Sequence, residues 1–479
     1  MCTSISSFDS RTGQPLFAGD VTDWGQIAEV MRQAGVAADL WRRHPVDQRI
    51  QIVRRYGEIL AEDRDKIRDL ISGEVGKLPW DSAGEVSASI AKAELSIAAW
   101  QQRRSQQQVD DGSGPVRRIV RYRPLGVALV LGPFNFPLHL PGGQIIPALL
   151  AGNAVVFKPS EQATAVGQWM VQAWKRAGLP DHVLQMIVGG VETAVAAIDS
   201  PHVNGVFLTG SRAAGRAIHR QLSGRPGVLL ALELGGNNPV VIDPSADPRV
   251  VAGLVSFSAF VSAGQRCTCA RRAFFVEGRL GDQQIQALVD RTTQMRVGLC
   301  DDSPAAHVGP LISAAAATSL RETYQTLLDL GCSPLIPWQA SDRNPALVHP
   351  VILDATGIPE SAEATLGEME WFGPILVVQR TGNLDRAFSL AASTPYGLSA
   401  ALLGGSEDVF QRFVDQVGAG VVNWNGPTTG AAGALPFGGL GDSGNHRPAG
   451  YYAIDFCSDP VASLQRPAPS ADDPWSVVE

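Results

Sequence analysis

The stretch GVALVLGPFNFPLHLPGGQIIPALLAGNAVVF, residues 126–157, opens and closes on short apolar runs, VALVL (127–131) and AVVF (154–157), with a proline-punctuated segment of helical length between them. Neither run alternates apolar with polar residues, so each reads as a strand buried on both faces. The unit recurs at LQMIV (184–188), GVFL (205–208) and VLLAL (228–232). Buried strands separated by helices join through right-handed crossovers into a parallel sheet. A second series starts near 239 with PVVI, passes the helical VAGLVSFSAFV, and resumes at RAFFV (272–276) and ILVV (375–378). Ahead of both, residues 22–107 carry helical periodicity, with Ile27, Val30, Met31 and Ala34, then Val53, Tyr56, Ile59 and Leu60 recurring every three to four positions. After a polar break, QQVDDGSGP (107–115), the run RRIVRYRP alternates as an exposed strand or hairpin does. The fold class is α/β.

Composition narrows the function. A chain of 479 residues exceeds the size of one growing core and predicts two or three domains. With 45% hydrophobic and 18% charged residues it has ample material to bury. The net charge of −8 gives no reason to expect nucleic acid or an anionic membrane as partner, and leaves a small molecule or another protein. The start, MCTSISSFDSRTGQ, shows no secretion signal, and four prolines interrupt the most apolar region, 126–157, so no membrane span is expected. Six cysteines (Cys2, Cys267, Cys269, Cys300, Cys332, Cys457) show no disulfide framework and fit a reducing compartment, the cytoplasm.

The chemistry centres on GQRCTCARR, 264–272. Cys267 and Cys269 lack the other ligands a zinc site needs, and a disulfide between residues two apart is strained, so no metal is expected. They are either small apolar fillers or a reacting thiol with its neighbour. Upstream, Glu233 ends the apolar run LALELGG (230–236), where partial desolvation would raise its pKa and let it take a proton from water. Asn135 in GPFNFP (132–137) follows a strand and offers an amide to a developing oxyanion. Thiol, carboxylate and amide together are the minimum for covalent catalysis through a thioester. Gly210, Ser211 and Gly215 in FLTGSRAAG (207–215) follow a strand at a helix start and suit a nucleotide phosphate, although they do not form the GxGxxG fingerprint. Lys158 and Glu161 in VVFKPSE (155–161) could hold ribose hydroxyls. GDSG (441–444) spells part of a serine-protease signature without the accompanying His and Asp context.

The motifs GPFNFP, GNAVVFKPSE, FLTGSRAAG, LELGG, GQRC, EWFGP, PYGLSAAL, GVVNWN and PFGGLGDSG stand in the order found in the aldehyde dehydrogenase superfamily. The chain resembles that family over nearly its whole length, and Cys267 follows Glu233 by the family's usual 34 residues (267 − 233). The resemblance implies an aldehyde dehydrogenase fold. Its parts would be a Rossmann-like parallel-sheet NAD domain (1–108 and 126–234), an α/β catalytic domain (235–445) and a small β oligomerisation element (109–125 and 446–479). It further implies Cys267 as nucleophile, Cys269 as bystander, Asn135 and the Cys267 amide as oxyanion donors, and Glu233 as the base that activates water. Glu370 and Phe372 of EWFGP would hold the nicotinamide ribose and ring, and Lys158 and Glu161 the adenosine ribose. A carboxylate at 161 repels a 2′-phosphate, so the cofactor is expected to be NAD.

Four more particular stretches are IHRQLSGRP (218–226), LELGGNNPVVI (232–242), GQRCTCARR and GNHRPAGYYAIDFCSDPVASL (444–464). They resemble a subgroup acting in arginine catabolism on an aldehyde with two further carboxylates. Arg266, His446 and Arg447 are the cations expected to meet them. The chain departs from the family pattern in three ways. The strand pair that usually opens these proteins is expected to be missing, the bulk of Trp371 is expected to alter the pocket, and, while YYAIDFC and VASLQ could supply the strand that joins a second subunit, the Pro-rich tail after them does not suit that role. A homodimer is expected.

Overall fold

The computed structural model describes residues 4–109 and 116–466. Cys2, residues 110–115 of the polar break and the tail beyond Arg466 lie outside the described residues. Ser4–Phe8 (β1) and Pro15–Asp20 (β2) form an antiparallel pair, so the expectation of a missing opening pair is corrected. FDSRTGQ is its connection, closed by the Asp9 carboxylate accepting from the Arg11 amide (2.9 Å) and by Gly13 at φ +69°. Four helices follow: Trp24–Trp41 (α1), Val46–Glu62 (α2), Arg64–Val75 (α3) and Pro79–Arg103 (α4). Asp23 and Gln26 cap the first reciprocally, and Pro79 sits at the start of α4, where its missing N–H costs nothing.

After Gln107–Gln108 (β3) and Arg117–Pro124 (β4), the run that opened the sequence becomes Val127–Leu131 (β5), His139–Ala151 (α5) and Ala154–Lys158 (β6). Thr164–Arg176 (α6), Leu184–Met186 (β7), Val191–Asp199 (α7), Val203–Thr209 (β8), Arg212–Gln221 (α8) and Leu229–Glu233 (β9) complete a first sheet. Its order is β7-β6-β5-β8-β9, parallel throughout. The chain therefore winds outward from β5 in both directions, and the switch between β5 and β8 opens a crevice at their carboxyl ends. Every residue of β5 and β6 is buried, as runs without alternation require.

A second sheet holds Asn238–Ile242 (β10), Ala270–Val276 (β11), Ser333–Ile336 (β12), Val351–Asp354 (β13), Ile375–Thr381 (β14), Ser399–Leu403 (β15) and Val421–Trp424 (β16), in the order β12-β13-β14-β11-β10-β15-β16. Only β12 runs antiparallel to its neighbour. Between β10 and β11 lies the helix Pro248–Phe260 (α9). The last strand, Ser458–Gln465 (β17), contains VASLQ and pairs antiparallel with β4, which also pairs with β3. YYAIDFC is a 3-10 helix over Tyr451–Cys457, not a strand; its Ala453, Ile454, Phe456 and Cys457 face the first core. Trp371 also departs from expectation. Its ring is buried in the second core and its indole N–H donates to Ile375 O (2.7 Å), so its bulk points away from the crevice. No helix among the described residues is long and apolar enough to cross a membrane.

Candidate active site

The two sheets meet where β9 ends. The segment 441–445 folds over that end: Gly444 bridges to Glu233, and the Leu234 amide donates to Ser443 O (3.0 Å). GDSG is thereby structural, with Ser443 buried and its hydroxyl accepting from the Gly397 amide (3.0 Å). Glu233 is only 1% exposed, and both its carboxylate oxygens lack a hydrogen-bond partner. Burial pushes its pKa up to about 8, against the opposing pull of the Cys267 thiol and the Arg447 charge. The thiol faces the carboxylate without reaching hydrogen-bond geometry.

Cys267 is presented by a strained turn. Past the end of α9, Ser262, Ala263 and Gly264 are all left-handed, at φ +54°, +54° and +71°. Outside glycine that conformation costs about 1–2 kcal/mol per residue, so other contacts must hold it. They grip the turn by its carbonyls. Arg271 donates to Gly264 O (2.9 Å) and Arg266 O (3.1 Å), Asn135 Nδ2 to Gln265 O (2.9 Å), and Asn238 Nδ2 to Cys267 O (2.7 Å) and Cys269 O (2.8 Å). The Cys267 amide has no acceptor among the described residues and stays available as a donor. Cys267 is partly exposed as a residue and lines the crevice, whereas Cys269 is fully buried with its sulfur against Val261 O (3.6 Å). Burial pushes the Cys267 thiol well up, and the Glu233 carboxylate adds to the effect.

Asn135 is held from behind. The amides of Leu138 and His139 donate to Glu85 Oε1 (2.9 and 3.1 Å), which neutralises the start of α5. Glu85 is paired with Lys77 (2.6 Å), and the Lys77 ammonium lies 3.4 Å from the centre of the Phe136 ring. With one Nδ2 proton on Gln265 O, the amide has a second to offer the crevice.

That crevice, about 550 Å³, runs from Asn135, Cys267 and Glu233 to the carboxyl ends of β6 and β8. Lys158 and Glu161 line it, with the Lys158 ammonium 3.6 Å from the Glu161 carboxylate. Gly210 and Ser211 line it at the start of α8, where the Ser211 hydroxyl accepts from the Ala214 amide (3.2 Å). Gly215 does not: a Cβ there would press on Leu234, so it serves close helix–strand packing. Glu370 accepts from the Gly236 amide (3.1 Å), and the Phe372 and Phe134 rings meet in a T-shaped contact, 6.0 Å between centres.

Two features escaped sequence reasoning. A Cβ at Gly235 would collide with the Glu370 carboxylate, so the glycines of LELGG make room for a residue 135 positions away (370 − 235). Val191 and Val195 on α7 face Ala214 and Ile218 on α8 across an apolar slot, and Val191 is 78% exposed. Their spacing of four, on the face opposite the buried Ala196 and Ala197, was the available signal.

The expected substrate cations stand outside the crevice lining. Arg266 forms an ion pair with the buried Asp81 (2.7 Å) and donates from Nε to Ser262 Oγ (2.8 Å), leaving Nη1 without a partner among the described residues. Arg447 donates from Nη1 to Gly439 O (2.6 Å). His446 is exposed, and both His446 and Arg447 are left-handed.

The model of the aldehyde dehydrogenase family matches residues 3–461. The N-succinylglutamate 5-semialdehyde dehydrogenase of Serratia proteamaculans (strain 568) is 41% identical over 463 residues, 96% of this chain and 93% of that one. The protein of the same name from Ectopseudomonas mendocina (strain ymp) is also 41% identical, over 97% and 94%. Among solved structures, a glyceraldehyde-3-phosphate dehydrogenase from Methanocaldococcus jannaschii DSM 2661 complexed with NADP superposes with a TM-score of 0.88 over 96% of this chain and 99% of that one, at 24% identity. A protein of Sinorhizobium meliloti 1021 assigned as a methylmalonate-semialdehyde dehydrogenase and complexed with NAD gives 0.90 over 98% and 96%, at 23% identity. Likeness at that identity speaks for the fold alone.

Proposed function

Because the chain belongs to the aldehyde dehydrogenase family, we propose that it oxidises N-succinylglutamate 5-semialdehyde to N-succinylglutamate with NAD, using Cys267 as nucleophile, Asn135 as oxyanion donor and Glu233 as base. The observation that carries this reading is the convergence of those three groups at one end of a single crevice, with Glu233 buried and its pKa raised to about 8.

The Cys267 thiol, whose proton burial holds on the sulfur, gives that proton up to solvent through the crevice as the sulfur attacks the aldehyde carbon and forms a thiohemiacetal. Its oxyanion accepts from the second Asn135 Nδ2 proton and from the Cys267 amide, donors already held in place before charge develops. NAD, when bound, supplies the acceptor for the hydride that leaves this carbon. Glu233 then takes a proton from water, the resulting hydroxide attacks the thioester, and the acid leaves while the Glu233 proton returns to the departing sulfur.

The residues present fit a dinucleotide. The slot between Val191 and Ile218 is apolar and of the kind an adenine enters, the Ser211-capped start of α8 suits a pyrophosphate, and Glu370 and Phe372 lie toward the thiol end. Glu161, beside the Lys158 ammonium, would accept ribose hydroxyls and repel a 2′-phosphate. Glu161→Gln is therefore expected to raise kcat/KM with NADP and lower it with NAD, narrowing the preference by about tenfold, roughly 1.4 kcal/mol. Steady-state rates with both cofactors check this; an unchanged ratio removes Glu161 from the selection.

Arg266 and Arg447 retain guanidinium donors that could meet the two substrate carboxylates. Comparing kcat/KM for N-succinylglutamate 5-semialdehyde, glutamate semialdehyde and propanal tests the substrate. The first should lead, and Arg266→Ala should lower it by about tenfold or more relative to propanal, as the loss of a charge-assisted contact does. A selectivity ratio that neither arginine moves would overturn the anchoring.

A further inference from the structure

Arg271 has a setting that the reaction just described does not use. It is 0% exposed and has no carboxylate partner among the described residues, and its Nε hydrogen is unpaired. A buried cation outside any salt bridge carries a desolvation penalty of several kcal/mol, which the Glu370 carboxylate offsets in part from beyond ion-pair distance. Its hydrogen-bond partners are three backbone carbonyls. Nη1 reaches Gly264 O at 2.9 Å and Gly373 O at 3.5 Å, and Nη2 reaches Arg266 O at 3.1 Å. The guanidinium carbon also lies 5.7 Å from the centre of the Phe372 ring.

Those carbonyls belong to two different elements. Gly264 is the last residue of the left-handed turn and Arg266 joins it to Cys267, while Gly373 follows the loop carrying Glu370 and Phe372. The two elements approach backbone to backbone at one point, where a Cβ on Gly264 would run into the Gly373 peptide. Arg271 is bonded on both sides of that contact. A planar guanidinium holds its donors on separate nitrogens in a fixed fork, which fixes all three carbonyls at once, whereas an ammonium gathers its donors on one nitrogen at the end of a flexible stem.

We propose that Arg271 is a positioning residue that ties the turn of Cys267 to the loop of Glu370 and Phe372, so that seating the dinucleotide on the loop fixes the thiol against the carbon it attacks. The proposal rests on the function given above for Cys267, Glu370 and Phe372. The turn at 262–264 is the kind of strained backbone that persists only where its surroundings over-determine it, and Arg271 makes two of the bonds that do so.

The test is amide hydrogen exchange of the intact enzyme with and without saturating NAD, read on the segment 261–266, which does not line the crevice. NAD should slow exchange there in the wild type. Arg271→Lys should lose that protection and lower kcat about 10²-fold, the scale of an ångström-level misplacement, while KM for NAD stays near its wild-type value. If Arg271→Lys does not fold, Gly264→Ala, which keeps the guanidinium but forces the two backbones apart, should lose the same protection. Absence of NAD-dependent protection in the wild type, or its survival in either folded variant, overturns the proposal. Failure of the underlying reading would look different: NAD would not bind, or Cys267→Ala would still turn over.

Discussion

Replacing Cys267 with alanine is expected to abolish NADH production, a loss on the order of 10⁴-fold or more, because no other group can form the covalent intermediate. Cys269→Ala should keep most of the activity. The two sulfurs are two residues apart in the same turn yet differ in surroundings: Cys267 lines the crevice and faces Glu233, whereas Cys269 is sealed against Val261 O. Removing the buried sulfur should cost about 1 kcal/mol of stability, as small core truncations do. Equal losses of turnover in the two variants, with both folded, would remove Cys267 from its role.

Glu233→Gln separates the two halves of the reaction. With the base gone and the thiol intact, one equivalent of NADH should still appear in a burst, followed by a steady state slowed about 10²- to 10⁴-fold. Stopped-flow absorbance reads both phases, and a missing burst with NAD still bound would show that Glu233 acts before the thioester forms. The wild-type steady state should climb as pH passes through about 8, where the buried carboxyl ionises, and the variant should lack that rise. The same shift bears on stability. Because the folded pKa lies above the ordinary glutamate value of 4.5, the folded state holds a proton that the unfolded chain releases. The associated stability is complete below about pH 4.5 and is lost as pH rises through about 8. Glutamine does not titrate, so Glu233→Gln should gain Tm relative to wild type at pH 9 compared with pH 5.

Local pattern explains what could be read early. β5 and β6 were legible because buried parallel strands need unbroken apolar runs, and the thiol was legible because a reacting cysteine, a strand-end carboxylate and a rigid amide each leave a short signature. The opening strand pair leaves little trace in the sequence because β1 and β2 are short, five and six residues, and mostly exposed. The direction of Trp371 is hidden for a different reason. Glu370 and Phe372 on either side of it line the crevice, while the indole between them lies in the second core.

What the sequence by itself determined is the series of elements and the chemical types brought to the crevice: strand, glycine turn, helix, thiol, carboxylate, amide. Only the tertiary structure decided what those groups do to one another. Glu233 is pushed up to about 8 because the 441–445 segment and the thiol turn close over it, and desolvation depends on atoms more than 200 residues away (444 − 233 = 211). Arg266 and Arg271 are five positions apart in GQRCTCARR and chemically identical. One pairs with Asp81 across 185 residues and the other grips a carbonyl 102 residues distant. A guanidinium's role is set by the acceptors within hydrogen-bond reach of it, and for these two the partners that differ come from distant parts of the chain.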